Sequence, residues 1–299
     1  VDSVIVIVAG ETNPNIEEEA LIALYNATDG DNWTNNTNWL SDEPLGDWYG
    51  VTTNGDGFVT EISLMVNELY GSLPSELGNL SSLSMLLLNE NQLNGVIPPE
   101  LGNLSSLTFL HFWNNEISGS IPPAIGNLSN LTSLSIGKNQ LSGEIPDELW
   151  GLSNLETFSS EENQLSGTLP SEIENLSNLN YLDLDQNQLS GEIPIELWNL
   201  DNLLYLMLGN NGFNGTLPSA LGDLVNLSVL RLEQNQFSGS LPSELTNCNG
   251  LIELSINNNQ FDSIPPSLSS LSLDYSMFQL NNFTIEDLEN IPIGSEEHY

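Results

Sequence analysis

The stretch LNYLDLDQNQLSGEIPIELWNL, residues 179–200, contains the pattern that decides the fold. Its centre alternates apolar and polar residues, which predicts a short β-strand with Leu182 and Leu184 directed inward. Asn187 follows where the chain turns away, and Leu197 lies on the segment that returns over the same core. Such a unit cannot bury its apolar face alone, so we predict that copies of it stack.

One asparagine recurs every 24 residues over most of the chain. An asparagine amide both donates and accepts hydrogen bonds, so a column of amides can satisfy backbone groups that would otherwise be buried unpaired. The spacing predicts about ten copies, the last of them shortened, along a ladder made of Asn67, Asn91, Asn115, Asn139, Asn163, Asn187, Asn211, Asn235 and Asn259.

The return segment repeats the phrase Leu-Ser-Gly-x-Ile/Leu-Pro, for example at residues 141–146 and 165–170. Gly191 permits a positive φ in one copy, and Pro194 fixes φ where no N–H is needed. From about Ala20 to Phe283 the chain resembles the plant-type leucine-rich repeats of receptor ectodomains and cell-wall enzyme inhibitor proteins. The resemblance implies an α/β solenoid with a parallel β-sheet on its concave face and a helical N-terminal cap.

The segment before the repeats resembles the N-terminal cap of that family. Asn13 and Pro14 predict the start of a helix, and its apolar face is predicted to contain Ile16, Ala20, Leu21 and Leu24. Three tryptophans follow at Trp33, Trp39 and Trp48.

Plant caps carry a cysteine pair that is absent from this chain, where Asp47 and Thr53 occupy the two places. The sole cysteine, Cys248, stands at a leucine position of a late repeat and is predicted to be a small buried residue. The lack of disulfides makes the chain most similar to bacterial surface versions of these repeats.

Four segments are predicted: an N-terminal strand or leader of the mature chain at residues 1–12, a cap at 13–58, the solenoid at 59–283 and a closing segment at 284–299. The run Val4–Val8 is too short to span a bilayer and reads as a β-strand. In the closing segment, Ile285, Leu288 and Ile291 are predicted to form a small lid.

The charge balance of the chain indicates which partners it can bind and where the protein functions. The chain has 2 Lys and Arg residues against 41 Asp and Glu residues, a formal charge of −39. Nucleic acids and anionic membranes are excluded as partners because both require clustered cations. A saline extracellular setting, secreted or at the cell surface, is favoured because salt screens such a charge; an intracellular salt-adapted protein is the alternative.

The outward positions of successive strands fall into columns, with neighbours about 5 Å apart. One group of residues, which we call the aromatic group, places large apolar side chains on a face that should be wet, which is typical of a partner contact. Packing among neighbouring strands is the alternative. The group contains Met85, Leu87, Phe109, His111 and Trp113.

A second group, the acidic group, contains Glu161, Glu162, Asp183 and Asp185 and is flanked by Lys138. Two carboxylates at this spacing suit a retaining glycosidase, or a Ca²⁺ ion held by Glu161, Asp183 and Asp185. The favoured interpretation is a solvated acidic face in which Lys138 pairs with Glu162, and no other cofactor is predicted.

A third group, the tyrosine group, contains Tyr181, Tyr205, Met207, Val229 and Arg231. An arginine beside aromatic rings can bind a carboxylate or a sugar acid. A salt bridge from Arg231 to Glu233 is the alternative.

We therefore predict a noncatalytic recognition or adhesion module that binds an extracellular protein, peptide or glycan through its concave face, at Met85, Leu87, Phe109, His111, Trp113, Tyr181, Asp183, Tyr205, Met207 and Arg231. The alternative is a filament in which Val4–Val8 of one copy joins the end of another. Less favoured hypotheses are glycan hydrolysis and ice binding, the latter through Gln92, Gln140, Gln164, Gln188, Gln236 and Gln260. Only His111 among the histidines lies in the repeats, far from Cys248, so no nucleophile–histidine pair is indicated.

Overall fold

The computed structural model describes residues 14–291, which form a solenoid in which each repeat adds one strand to a long parallel sheet. The run Val4–Val8 and the last residues of the closing segment, 292–299, lie outside the described residues. Within residues 14–291 the long sheet has eleven strands, at Val51–Thr53, Val59–Ser63, Met85–Leu87, Phe109–His111, Ser133–Ser135, Thr157–Ser159, Tyr181–Asp183, Tyr205–Met207, Val229–Arg231, Glu253–Ser255 and Tyr275–Met277.

Strand register follows the sequence repeat. Tyr181 pairs with Tyr205, and Leu182 pairs with Leu206, in a parallel ladder that continues from repeat to repeat. Only the first pair, between Val51–Thr53 and Val59–Ser63, is antiparallel among the described strands of this sheet. Leu182 and Leu184 are fully buried, so the predicted inward face is confirmed.

The asparagine ladder forms as the repeat predicts. The side-chain oxygen of Asn187 accepts a hydrogen bond from the Leu165 backbone N–H at 2.9 Å, in the preceding repeat. Its amide nitrogen donates to the carbonyl oxygen of Ser160 at 3.0 Å and to that of Leu184 at 3.2 Å. Asn281 continues the ladder after the shortened repeat, because its oxygen accepts from the Phe261 N–H at 3.1 Å.

The residue before each ladder asparagine adopts a left-handed backbone, with φ of 50° at Lys138 and 51° at Glu162. This conformation is uncommon outside glycine and asparagine. It turns the chain away from the long sheet at the same point in every repeat, which aligns these two side chains in one column.

A second sheet forms along the return segments, where the sequence predicted only a glycine with a positive φ. Gly191 has a φ of 84°, and an added Cβ would lie 2.9 Å from Thr168 Cγ2 in the preceding repeat. Within residues 14–291 this sheet has seven strands, at Ser118–Gly119, Gln140–Glu144, Gln164–Gly167, Gln188–Glu192, Gly212–Thr216, Gln236–Ser240 and Gln260–Ser263. A separate pair of strands, Tyr70–Ser72 and Gln92–Asn94, precedes it.

Each return segment then forms one short 3₁₀ helix rather than an α-helix. These helices lie at Ser75–Asn79, Pro99–Asn103, Pro123–Asn127, Asp147–Gly151, Ser171–Asn175, Ile195–Asn199, Ser219–Asp223, Ser243–Asn247 and Pro266–Ser270. Cys248 follows one of them and is fully buried, as predicted, and burial raises the pKa of its thiol to about 11.

Helix α1, Pro14–Ala27, covers the N-terminal end of the core. Ala20, Leu21 and Leu24 are buried as predicted, but Ile16 is 37% exposed, so its assignment to the apolar face is wrong. Glu17 is 1% exposed instead, because its carboxylate accepts a hydrogen bond from the Val59 N–H at 2.7 Å. The helix therefore meets the first repeat through a polar contact at this point.

An aromatic cluster holds the rest of the cap together. Short 3₁₀ helices at Gly30–Asn32 and Leu45–Asp47 directly precede Trp33 and Trp48. The ring centroids of Trp33 and Trp39 lie 4.8 Å apart, and those of Trp39 and Trp48 lie 5.2 Å apart. Each indole N–H donates to a backbone carbonyl, as the N–H of Trp33 does to Thr28 at 2.8 Å.

The ladder joins this cap to the repeats, because the Asn67 side chain exchanges two hydrogen bonds with the Asn35 backbone at 2.7 and 3.0 Å.

Helix α2, Ile285–Leu288, lies at the C-terminal end, but it does not form the predicted apolar lid. Ile285 is 83% exposed, and Leu288 is also exposed. The contact is polar instead: Asp287 accepts from the Ile264 N–H at 3.0 Å, and Asn290 donates to the Ile264 carbonyl at 2.9 Å. Of the three predicted lid residues, Ile291 alone packs against the core.

We predict that Asn187→Ala lowers the free energy of unfolding by about 3 kcal/mol, because it leaves a buried N–H and buried carbonyls unpaired. Urea denaturation followed by circular dichroism measures the change. The control is Gln188→Ala, whose side chain is exposed, with an expected effect within about 0.5 kcal/mol. Equal effects of the two substitutions would contradict the role of the ladder.

Candidate functional site

The outward side chains of the long sheet form one continuous surface, which we call the outer face. Pairing of Leu87 with His111, and of Met207 with Arg231, confirms the columns read from the sequence. The aromatic group lies towards the N-terminal repeats, and the acidic and tyrosine groups adjoin each other further along.

The aromatic group is half-buried rather than fully exposed. The rings of Phe109 and His111 meet edge to face with centroids 5.7 Å apart. Nε2 of His111 lies 2.8 Å from the hydroxyl oxygen of Ser133. Burial lowers the pKa of His111, so the ring is neutral at pH 7. The side chains of this group therefore pack against one another and also stay partly exposed, since Met85 and Leu87 are half-buried as well.

Trp113 is held in one orientation by residues of later repeats. Its indole N–H donates to Glu161 Oε1 at 2.6 Å, two repeats away. Gly137 stands between them, and a Cβ there would lie 2.3 Å from the carboxyl carbon of Glu161. The Lys138 ammonium lies 4.7 Å from the ring centroid of Trp113, within cation–π range. The absence of a side chain at Gly137 thus allows Trp113 to be held in one orientation. This fixed orientation was not predicted from the sequence.

The acidic group is only partly solvated. Asp183 is 7% exposed and Asp185 is 8% exposed, so the prediction of a solvated face is wrong for both. Asp183 accepts from the Asp185 N–H at 3.0 Å, and Asp185 accepts from the Gly209 N–H. The predicted pairing of Lys138 with Glu162 is confirmed, with a separation of 3.5 Å between Nζ and Oε1.

Burial shifts the protonation of these two carboxyls. Burial, and secondarily the charge of Asp183, raises the pKa of Asp185 to about 8. Burial also raises the pKa of Asp183 to about 6, against the opposing hydrogen bond from the Asp185 N–H. At neutral pH, Asp185 therefore carries a proton in a large fraction of molecules.

Most of the carboxylate oxygens that the calcium hypothesis assigns to the ion already accept hydrogen bonds within the chain. Glu161 uses Oε1 for Trp113 and Oε2 for the Ser159 hydroxyl, which donates at 2.6 Å. One oxygen each of Asp183 and Asp185 is engaged by a backbone N–H. Among the residues that the structure describes, no group of three or more His, Cys, Asp or Glu side chains is arranged to hold a metal ion.

The tyrosine group is divided by burial. The rings of Tyr181 and Tyr205 lie 5.5 Å apart, and Tyr205 is exposed. Met207 and Val229 are buried beneath their neighbours, so the expectation that they are accessible is wrong. Arg231 forms its salt bridge to Glu253, with Nε 2.6 Å from Oε1, and not to Glu233. Its partner lies in the next repeat, in a different column.

A groove of about 610 Å³ opens at the C-terminal part of the outer face. This groove was not predicted from the sequence, although its residues occupy the same columns as the three groups. The groove is lined by Arg231, Glu233, Gln234, Glu253, Ser255, Asn257, Tyr275 and Met277.

Comparison with known families identifies the class of protein. A Leucine Rich Repeat model matches residues 82–104, 178–200, 202–224, 226–248 and 250–271, and a model of Leucine Rich repeats in two copies matches residues 105–147. The matches together cover more than half of the chain. The chain belongs to the leucine-rich repeat family, with repeats of the plant type.

Two solved plant receptors are similar to it. The leucine-rich repeat ectodomain of the membrane receptor kinase GASSHO1/SCHENGEN3 from Arabidopsis thaliana, in complex with CASPARIAN STRIP INTEGRITY FACTOR 2, is 34% identical and covers 90% of this chain with a TM-score of 0.82. The plant peptide hormone receptor RGFR1, in complex with RGF2, is 38% identical and covers 72% with a TM-score of 0.70. The chain spans 32% and 35% of those chains.

A plant ice-binding protein of similar size is 26% identical, with a TM-score of 0.79, and the match covers 91% of this chain and 88% of that one. Both receptor structures are complexes, and the family match is to the repeats themselves. Glycan hydrolysis stays a less favoured prediction. Among the described residues, no helix has the length and apolar character needed to cross a membrane.

We predict that Asp185→Asn reduces the pH dependence of stability. Because the pKa of Asp185 is raised by folding, the folded chain keeps a proton that the unfolded chain releases, so wild-type stability falls as pH rises from about 4 to about 8. At pH 8 the variant should be more stable than wild type by at least about 1.4 kcal/mol, the equivalent of one pKa unit.

Urea denaturation at pH 5 and pH 8 measures this difference. The exposed Asp223, replaced by Asn, is the matched control because it removes the same charge. The same change in pH dependence for both variants would show that general charge repulsion, and not the buried carboxyl, is the cause.

Proposed function

We propose that the chain is an extracellular recognition module that binds a peptide or an extended protein segment along the outer face of the long sheet. The observation that carries the proposal is the fixed Trp113 on a continuous outer face. One similar structure is a receptor ectodomain in complex with CASPARIAN STRIP INTEGRITY FACTOR 2, and the other is a peptide hormone receptor in complex with RGF2. Both support a ligand of this kind.

The residues of the outer face suit such a ligand. Trp113 is oriented by Glu161 and Lys138 before any ligand binds, so little side-chain entropy is lost on binding. Tyr205 adds an exposed ring further along the same face. Tryptophan and tyrosine are enriched among residues that dominate binding energy.

An extracellular location follows from the same proposal. Adhesion, glycan binding and end-to-end assembly through Val4–Val8 stay predictions.

We expect Trp113→Ala to weaken binding of a selected peptide at least tenfold, because the indole surface is lost. Peptides are selected from a random display library on the purified chain, and affinity is measured by calorimetry. The matched control is Tyr70→Ala, an exposed aromatic residue in the strand Tyr70–Ser72, off the long sheet. A peptide that loses affinity only with the Tyr70 substitution would refute the outer face as the site.

A second candidate function is ice binding through the second sheet. In this sheet the pairing is two residues out of step with the 24-residue repeat, so Ser166 pairs with Gln188 and not with Ser190. A plant ice-binding protein that matches nearly the whole chain supports this candidate. Polar side chains of adjacent strands, at the strand spacing of about 4.8 Å, would present an ordered surface to water.

If the second sheet binds ice, the wild-type chain inhibits ice recrystallisation, and Ser166→Tyr with Ser190→Tyr abolishes the effect by placing bulky rings on two neighbouring strands. Trp113→Ala is the control and should keep full activity. No inhibition by the wild-type chain at high concentration would remove this candidate.

A further inference from the structure

The groove at residues 231–277 differs from the rest of the outer face because it contains hydrogen-bond acceptors that have no donor. Asn257 is 5% exposed, and its side-chain oxygen has no hydrogen-bond partner. Oε2 of Glu233, in the preceding repeat, is also without a partner. Arg231 pairs with Ser255 in the sheet, which places Glu233 and Asn257 at corresponding positions of adjacent repeats. Unpaired acceptors of this kind cost free energy that a ligand donor would recover.

Neither basic side chain of the described chain donates to these acceptors. Its 2 Lys and Arg residues are already paired, since Lys138 contacts Glu162 at 3.5 Å and Arg231 contacts Glu253 at 2.6 Å. The formal charge of −39 attracts a cationic ligand that can donate to the two unpaired oxygens.

We propose that the groove binds an arginine or lysine side chain of a basic peptide segment, with Glu233 and Asn257 as its acceptors. This inference rests on the proposed function and names the chemistry of its ligand. A guanidinium offers five N–H donors and no acceptor, which complements the two unpaired oxygens. Tyr275 also lines the groove, and tyrosine is a residue type that binds cations through its ring.

An anionic ligand fits the groove poorly. A carboxylate or phosphate in the groove would face Glu233 and Glu253, while the Arg231 guanidinium that could attract it is held by Glu253. The long-range field acts in the same direction, because an acidic chain accelerates association with cations and repels anions.

Three capped nonapeptides of glycine and serine test the inference: one carries two arginines, one carries two glutamates and one carries neither. Affinities are measured by calorimetry at physiological salt, where contacts between distant charges are screened. We expect the arginine peptide to bind at least tenfold more tightly than the other two. Equal affinities of the three peptides would overturn the inference.

Variants separate the groove from the general charge. Glu233→Gln should weaken binding of the arginine peptide about tenfold, the loss of one charge-assisted contact. Glu244→Gln removes the same charge from an exposed position in the helix Ser243–Asn247 and should change affinity less than about twofold. Equal losses in both would reduce the effect to bulk attraction and overturn the site.

Asn257→Leu removes the side-chain oxygen with little change in volume and should weaken binding of the arginine peptide, with circular dichroism confirming the fold. Unchanged binding by the folded variant contradicts the role of Asn257.

The display selection distinguishes failure of this inference from failure of the proposed function. Selected peptides that depend on Trp113 but are neutral or acidic, and are indifferent to Glu233→Gln, would overturn the groove assignment and leave the proposed function intact. Absence of any peptide that binds the outer face would overturn both.

Discussion

Every repeat of the solenoid leaves a backbone N–H and backbone carbonyls that point into the space between neighbouring repeats, where water does not reach. One asparagine side chain satisfies them, as Asn187 does for the N–H of Leu165 and the carbonyl of Ser160. An apolar residue of the same size would leave these groups unpaired. Asn67 extends the pattern to the cap by bonding Asn35, and Asn281 extends it past the shortened repeat. This constraint keeps the strand register and therefore fixes the columns of the outer face.

The proposed binding surface arises where a column contains a residue without a side chain. Gly137 lets Trp113 reach Glu161 across an entire repeat. Gly209 has a similar role, since an added Cβ would lie 2.8 Å from the carboxyl carbon of Glu233. A regular scaffold thus holds irregular side chains in fixed positions, which is the arrangement a specific binding face requires.

Much of the fold could be predicted because the structure of each repeat follows from its own sequence. The strand, the asparagine and the inward leucines are all evident from local periodicity. The second sheet could not, because its Ser-Gly phrase has the local signature of a turn and pairs only when neighbouring repeats stack. Burial of Asp183 and Asp185 was missed for a related reason, since it depends on side chains of other strands. The partner of Arg231 was wrong because its guanidinium reaches Glu253 in the next repeat. Glu17 is buried in place of Ile16 because the first repeat offers the Val59 N–H to the helix.

The central claim is that the ladder-positioned outer face, from Trp113 to the groove beside Tyr275, receives the ligand. A crystal structure of the chain with a peptide selected from a display library tests this most directly. The account predicts a peptide that lies along the columns of the outer face, contacts Trp113 and places a basic side chain against Glu233. A peptide that lies on the second sheet, or at either end of the solenoid, would contradict it.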